Sequence, residues 1–306
     1  RALTSQRRKK MEELVKGALD LHVHPGPDVQ TRKIDDLDLS PRYAQAGMAG
    51  YAIKSHYLCT AERAKLVNRI YPQCRAIGAI TLNNSVGGLN PVAVEIAARA
   101  GAKIVWMPTT DSLYERQCLF HSGRKDIIMP YWATILQELD QTGIPCPPIT
   151  LRQENGKLKR EVYSILEIAK KEKLCVATAH ISHEDAFAIA EASHEIGFAR
   201  LLISHVLYTT TTYSLEEQLR FLRLGALLEY CYSTFTTKKT TYERTLELIR
   251  AVGPQNCIIS SDLGMPNGEY PDIGMMEFSR MLYRDHIPEE MIHAMNRDNP
   301  AYLIDT

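Results

Sequence analysis

Eight apolar runs of strand length recur along this chain, and helix-like sequence lies between each one and the next. The runs occupy about 18–24, 50–56, 75–82, 102–108, 174–180, 200–205, 226–231 and 257–262. Most start about 25 to 32 residues apart, the length of one strand plus one helix. Only the step from the fourth run to the fifth is longer, by about 40 residues. Near-continuous apolar strands alternating with helices imply a parallel sheet. Eight such units predict a closed (β/α)8 TIM barrel of the α/β class. An open doubly wound sheet is the alternative. The barrel is preferred because chemically suited residues end strands all along the chain, and only a barrel brings those ends to one mouth. The chain has 306 residues, above the ~250 of a typical barrel. It is read as one domain, 1–306, with the surplus at 109–160 as an insertion after strand four. That segment holds Pro130, Pro145, Pro147 and Pro148, and an Asn155-Gly156 hairpin signal. Long loops on the active-site side often act as lids. Tyr114, Phe120, Tyr131 and Trp132 would close over a substrate or pack between subunits.

Local signals place several helix starts. Ser40-Pro41 reads as an N-cap followed by a first helical proline. Pro91 follows the glycine-rich turn 87–90, and Ser182-His183-Glu184-Asp185 reads as a cap and first turn. The start is basic, with Arg1, Arg7, Arg8, Lys9 and Lys10, and runs into a short helix at 11–15. No apolar signal core follows it. The chain opens on Arg rather than Met, which leaves the position of the native start open.

Lys plus Arg equals Asp plus Glu, 36 each. That balance removes the electrostatic case for nucleic acid or an anionic membrane as partner. No apolar run reaches the ~18 residues of a membrane span. Seven scattered cysteines without a Cys-x-x-Cys read as reduced thiols, so a cytoplasmic protein is expected.

The chemistry concentrates at strand ends. His22 and His24 lie two apart on the first strand, so their side chains share one side. Pro25 and Gly26 end that strand. Such a pair either grips a metal or forms a hydrogen-bonded pair at a turn. Of ten histidines, five (22, 24, 56, 180 and 205) lie at or within two residues of a strand's carboxyl end. Asp262 ends strand eight, and Lys54 lies two residues before His56. Taken singly, each has an ordinary structural role: a satisfied histidine, a helix cap, a paired lysine. Taken together they converge on one small ring, which points to a divalent metal, zinc by ligand type.

His22-x-His24, His180, His205, Asp262 and the closing Asn299-Pro300-Ala301-Tyr302-Leu303 resemble the amidohydrolase superfamily of metal-dependent hydrolases over 18–306. The resemblance implies a distorted barrel with one or two divalent metals at its mouth, ligated by His22, His24, His180, His205 and Asp262. It also makes Asp262 the proton-shuttling base, and it admits a homo-oligomer. Many of these enzymes carry a bridging carboxylated lysine or glutamate on strand four. Here Val105-Trp106-Met107-Pro108-Thr109 offers neither, so a carbamylated Lys54 on strand two is the expected bridge. His56 beside it is expected as a further ligand or supporting donor. Polymerase-and-histidinol-phosphatase metallophosphoesterases also open with His-x-His. They place an acid where Ser55 stands, which weakens that alternative.

The expected activity is attack of a metal-activated water on an amide, lactam, imide or ester of a small molecule. A decarboxylase of the same superfamily and a phosphoesterase are the alternatives. Arg32, Asn83 and His183 are the candidate substrate contacts. Arg32 would grip a carboxylate, or else pair with Asp35 or Asp36.

Overall fold

In a computed structural model of the chain, which describes residues 9–123, 129–130 and 132–305, all eight strands form. They are β1 (Leu19–Val23), β2 (Gly50–Ile53), β3 (Arg75–Thr81), β4 (Ala102–Trp106), β5 (Cys175–Ala177), β6 (Leu201–Ile203), β7 (Leu227–Cys231) and β8 (Cys257–Ser260). Each pairs in parallel with the next, in chain order. Arg1, Arg7, Arg8 and Tyr131 lie outside the described residues.

The seam between β8 and β1 closes just beyond β8. Val23 bridges Leu263 in parallel. The Asp262 amide donates to His22 O at 2.7 Å, and the His24 amide donates to Leu263 O at 2.8 Å. Beneath them the Ser261 amide and the Tyr43 hydroxyl donate to Asp20, at 3.0 and 2.6 Å. Gly264 follows at φ +139°, where an added Cβ would lie 2.0 Å from His24 O. Only glycine lets the two chain segments approach this closely.

Major helices cover the barrel: α1 (Asp36–Gln45), α2 (Ala61–Ile70), α3 (Pro91–Ala100), α4 (Arg160–Glu172), α5 (His183–Glu195), α6 (Leu215–Arg223), α7 (Tyr242–Val252) and α8 (Pro271–Arg284). α2 lies so close to β3 that a Cβ on Gly78 would meet Ala61 Cα at 2.4 Å. Asn90, Ser182 and Ser214 cap α3, α5 and α6 through their side chains, and Ser214 and Glu217 form a full capping box. The Ser40-Pro41 start is corrected. α1 begins five residues earlier, capped by Asp35, whose carboxylate accepts from the Asp38 amide at 3.0 Å. Ser40 is an interior position, its hydroxyl bonded to Tyr51 at 2.8 Å, and Pro41 lies inside the helix. The tertiary bond to Tyr51 and the Asp35 cap outweigh the local preference of Ser-Pro for a first turn.

Leu21, Ile53, Val105, Val176, Leu202, Leu228 and Ile258 are fully buried along the strands. Each contributes roughly 1.5–3 kcal/mol. That offsets the cost of the polar groups held among them, Asp20, Lys54 and Glu229, which is several kcal/mol for each ion left unpaired.

Among the described residues, the 109–160 segment carries the helices Leu113–Arg116 and Trp132–Gln141 and a π-helical stretch, Gln117–His121. Ser112 bridges Ile149, and Arg152 pairs antiparallel with Leu158 around the Asn155-Gly156 turn. Among the described residues no helix is long and apolar enough to cross a membrane.

Candidate metal centre

β1 ends by presenting His22 and His24 toward the barrel mouth, and the turns after β2, β5 and β6 add His56, His180 and His205. These five imidazoles close a ring. Successive centroids from His24 through His22, His205, His180 and His56 back to His24 are 5.4, 5.6, 4.7, 6.3 and 4.9 Å apart. Trp106 forms the floor, 4.6 Å from the His22 ring. The ring opens into a cavity of about 520 Å³.

Asp262 faces the ring from the turn after β8. Its Oδ1 lies 3.0 Å from His22 Nε2 and 3.4 Å from His24 Nε2, and its Oδ2 accepts from Ser233 Oγ at 2.7 Å. Burial would raise its carboxyl, but the His22 charge and the hydrogen bonds from both imidazoles outweigh burial and hold it well below the usual range.

The two β1 histidines are anchored through their other nitrogen. His22 Nδ1 donates to Glu229 at 3.1 Å, and His24 Nδ1 donates to Lys54 O at 3.1 Å. With Nδ1 protonated, both Nε2 atoms face the same Asp262 oxygen, and each gap is closed by a proton, as a hydrogen bond to Asp262, or by a cation in its place. His180 Nδ1 lies 3.0 Å from Glu115 Oε1. That contact lacks hydrogen-bond geometry, so His180 Nδ1, like His205 Nε2, is buried with no hydrogen-bond partner. The donor set, the anchored tautomers and these orphaned nitrogens all fit a divalent ion. His22, His24 and Asp262, whose donor atoms lie within 4.8 Å of one another, are the residues that would hold it, with His205 and His180 beside them.

His22, Glu229 and Cys231 also bring donor atoms together. Their claim is weaker, because His22 Nδ1 is committed to Glu229 and burial keeps the Cys231 thiol protonated, far above its ordinary value.

Lys54 is fully enclosed. Its Nζ lies 2.9 Å from His22 Nε2 and 4.0 Å from the Trp106 ring centroid. Burial lowers it to about 8 against the pull of Asp262 and Glu229. His56 Nδ1 meets Thr109 Oγ1 at 2.8 Å. The same oxygen accepts from Asn83 at 2.7 Å, so the Thr109 hydroxyl ties His56 to Asn83 and fixes its ring at the cavity wall.

The three expected substrate contacts divide. Arg32 lines the cavity but pairs with Asp28 through Nε at 2.7 Å, not with Asp35 or Asp36. Asn83 lies outside the cavity wall, with its amide spent on His56 O, Thr109 and the Thr109 and Asp111 amides. His183 sits on α5, bonded to Glu217 at 2.7 Å and packed on Tyr213, and it too is absent from the wall. Leu119, Met129, Pro130 and Trp132 of the insertion form one wall.

Sequence reasoning missed Glu229 and Glu115. Glu229, fully buried on β7, accepts from His22, from the His205 amide at 2.8 Å and from Ser260 Oγ at 2.7 Å. A lone carboxylate interrupting an apolar strand was its signal. Glu115 comes from the irregular insertion, which carries no such pattern.

The neutral histidines set the pH response. Burial holds His24 near 3 and His56, His180 and His205 well below their ordinary 6.5. Below pH 6.5 the unfolded chain therefore binds protons that these native imidazoles refuse, so stability falls as pH falls. Burial raises Asp20 to about 6 and Glu115 to about 8, and His22 is raised as Asp262 and Glu229 outweigh its burial, so three native groups hold protons in the same window and offset part, not all, of the four. The thermal midpoint of the metal-free protein is expected to be lower at pH 5 than at pH 7. An equal or higher midpoint at pH 5 means that several of these imidazoles are protonated in the folded state.

The fold has clear relatives among solved structures. An amidohydrolase from Pseudomonas aeruginosa matches with a TM-score of 0.62 and 10% identity, covering 97% of each chain. A TatD homologue from Escherichia coli matches at 0.57 and 15%, covering 95% of this chain and 99% of that one. An organophosphorus hydrolase from Deinococcus radiodurans matches at 0.57 and 14%, covering 96% and 93%. At these identities the likeness establishes a shared barrel fold. A comparison with curated protein sequences returned no match. Residues 17–229, from just before β1 to Glu229, match the profile described as "Family of unknown function (DUF6282)". The chain belongs to that family.

Proposed function

We propose that this protein is a metal-dependent hydrolase that cleaves an amide, lactam, imide or ester bond of a small molecule. The observation that carries this reading is the closed ring of five imidazoles with Asp262 at its edge, opening into a small-molecule-sized cavity. The barrel relatives described as amidohydrolase and organophosphorus hydrolase support it. A bound divalent ion, zinc by donor type, supplies Lewis acidity and makes a water acidic near neutral pH.

The chain's own residues then move the protons. Asp262, ionised and steadied by Ser233, takes a proton from water at the ring and returns it to the leaving group. His56 lines the cavity, where it can hydrogen-bond the substrate. Glu229 keeps the His22 proton on Nδ1, so that Nε2 stays available as a ligand. Lys54, lowered to about 8, exposes a neutral amine at mild pH, the state that carbamylation by carbon dioxide requires. Its place beside His22 suits a bridge between two ions.

The test is turnover of a panel of lactams, esters and amides by protein loaded with zinc, in isotopically labelled water, with native mass spectrometry of the same sample. Label in the product, and loss of activity on chelation that zinc restores, are expected. Carbon dioxide release without label would replace hydrolysis by decarboxylation. One ion per chain with an unmodified Lys54 removes the carbamate bridge.

A further inference from the structure

We propose that the cavity over the ring takes a small anionic substrate, its carboxylate or phosphate group held by Lys239 and its apolar body laid against the insertion. What happens to that substrate rests on the hydrolase reading, whereas the anion subsite stands on the following geometry.

The chain as a whole has balanced charge, 36 cationic and 36 anionic side chains. The cavity wall does not. It presents Arg32, Lys54, Lys238 and Lys239 against one carboxylate, Asp262. Two of the four cations are already engaged: Arg32 pairs with Asp28, and Lys54 is packed on His22 and Trp106. Lys238 is exposed.

Lys239 is different. It is half-buried, its Nζ donates to Thr237 Oγ1 at 2.7 Å, and it lies 5.3 Å from the Tyr208 ring centroid. Among the described residues no carboxylate forms an ion pair with it. An ammonium has three donors, so two are left for a ligand. Burial lowers its pKa, and its charge reaches Asp262 and His180 at the ring. A partly desolvated cation with spare donors beside a cavity favours an anion.

The backbone holds it there. Helical residues Tyr232–Thr236 follow β7 and end in a turn in which the Lys238 amide donates to Phe235 O and the Lys239 amide to Thr234 O. Lys238 has φ +61°, a conformation that glycine adopts freely and a residue with a side chain adopts at a cost. The same cavity is lined by Leu119, Met129 and Trp132 of the insertion and by Leu263, which supply apolar surface. A substrate with one charged end and one apolar end matches both walls.

The test uses the zinc-loaded full chain, with Lys239→Met, which keeps the aliphatic stem, and Lys239→Arg, which keeps the charge. Glutarate and inorganic phosphate are added in turn and the thermal midpoint is read. A rise with either anion, lost in Lys239→Met and kept in Lys239→Arg, supports the subsite, and the anion that acts identifies the group. No rise with either anion, or an equal rise in Lys239→Met, overturns it. In turnover, the kcat/KM ratio of the para-nitrophenyl half-ester of glutarate to para-nitrophenyl acetate is expected to fall about tenfold in Lys239→Met. An unchanged ratio also overturns it. If neither ester is turned over, hydrolysis of these esters fails, and the anion-induced midpoint alone decides the subsite.

Discussion

Asp262→Asn is expected to lower kcat/KM by roughly a hundred- to ten-thousand-fold, the usual contribution of a positioned acid–base group, while the protein still folds cooperatively and still takes up metal. The backbone explains why folding survives. Asp262 sits at φ +48°, a left-handed position that Asn tolerates as well as Asp does. Its amide keeps the seam bond to His22 O, and an Asn carbonyl still accepts from Ser233. What is lost is the ionised oxygen between His22 and His24, the group that takes the proton. Asp262→Ala removes the same oxygen and adds roughly 1–2 kcal/mol of backbone cost, so it should also unfold more readily. Kinetics, metal content and melting of both variants make the check. Near-normal turnover by Asp262→Asn would take the residue out of the chemistry.

Glu229 yields the second large effect, and two substitutions separate its two roles. Glu229→Ala strips the acceptor from His22, the His205 amide and Ser260 inside a fully buried strand. The cost is about 3–5 kcal/mol, a large share of the ~5–15 kcal/mol that holds a domain together. Glu229→Gln keeps the volume but brings in an amide donor. If its carbonyl serves the His205 amide, its NH2 group meets His22 Nδ1. The imidazole must then accept at Nδ1 and carry its proton on Nε2, where it no longer ligates. Metal affinity should fall about 10–100-fold, as for other partners of metal-bound histidines, with a far smaller loss of stability than in Glu229→Ala. Chelator competition and thermal melts read the two separately. A Glu229→Gln protein that binds zinc like the wild type would show that the tautomer is set elsewhere.

The barrel was legible because its strands are apolar runs with little else in them, and burial on both faces requires that. The strand ends were legible too: His22, His24, His180, His205 and Asp262 interrupt or terminate those runs and meet where a closed barrel must bring them. The partners of these residues were not. Glu229 and His22 are 207 positions apart, and nothing local marks either as the other's neighbour. Glu115 reaches His180 from a segment without periodicity. Asn83 and His183 resembled site residues by position alone. A strand end sets where the chain is, whereas the hydrogen bonds to Thr109 and Glu217 decide which way the side chain turns. The Ser40-Pro41 start failed for a similar reason, since the Tyr51 hydroxyl that claims Ser40 lies on another element.

The closure of β1 on the segment after β8 has a consequence for how the protein comes into being. A ribosome delivers His22 and His24 first and Asp262 some 240 residues later. Until that last stretch emerges and Leu263 and Gly264 dock on His24, the growing polypeptide carries four of the imidazoles' strands but no fourth wall to hold a cation in register. The Asp262 side of the ring is therefore completed only with the final strand.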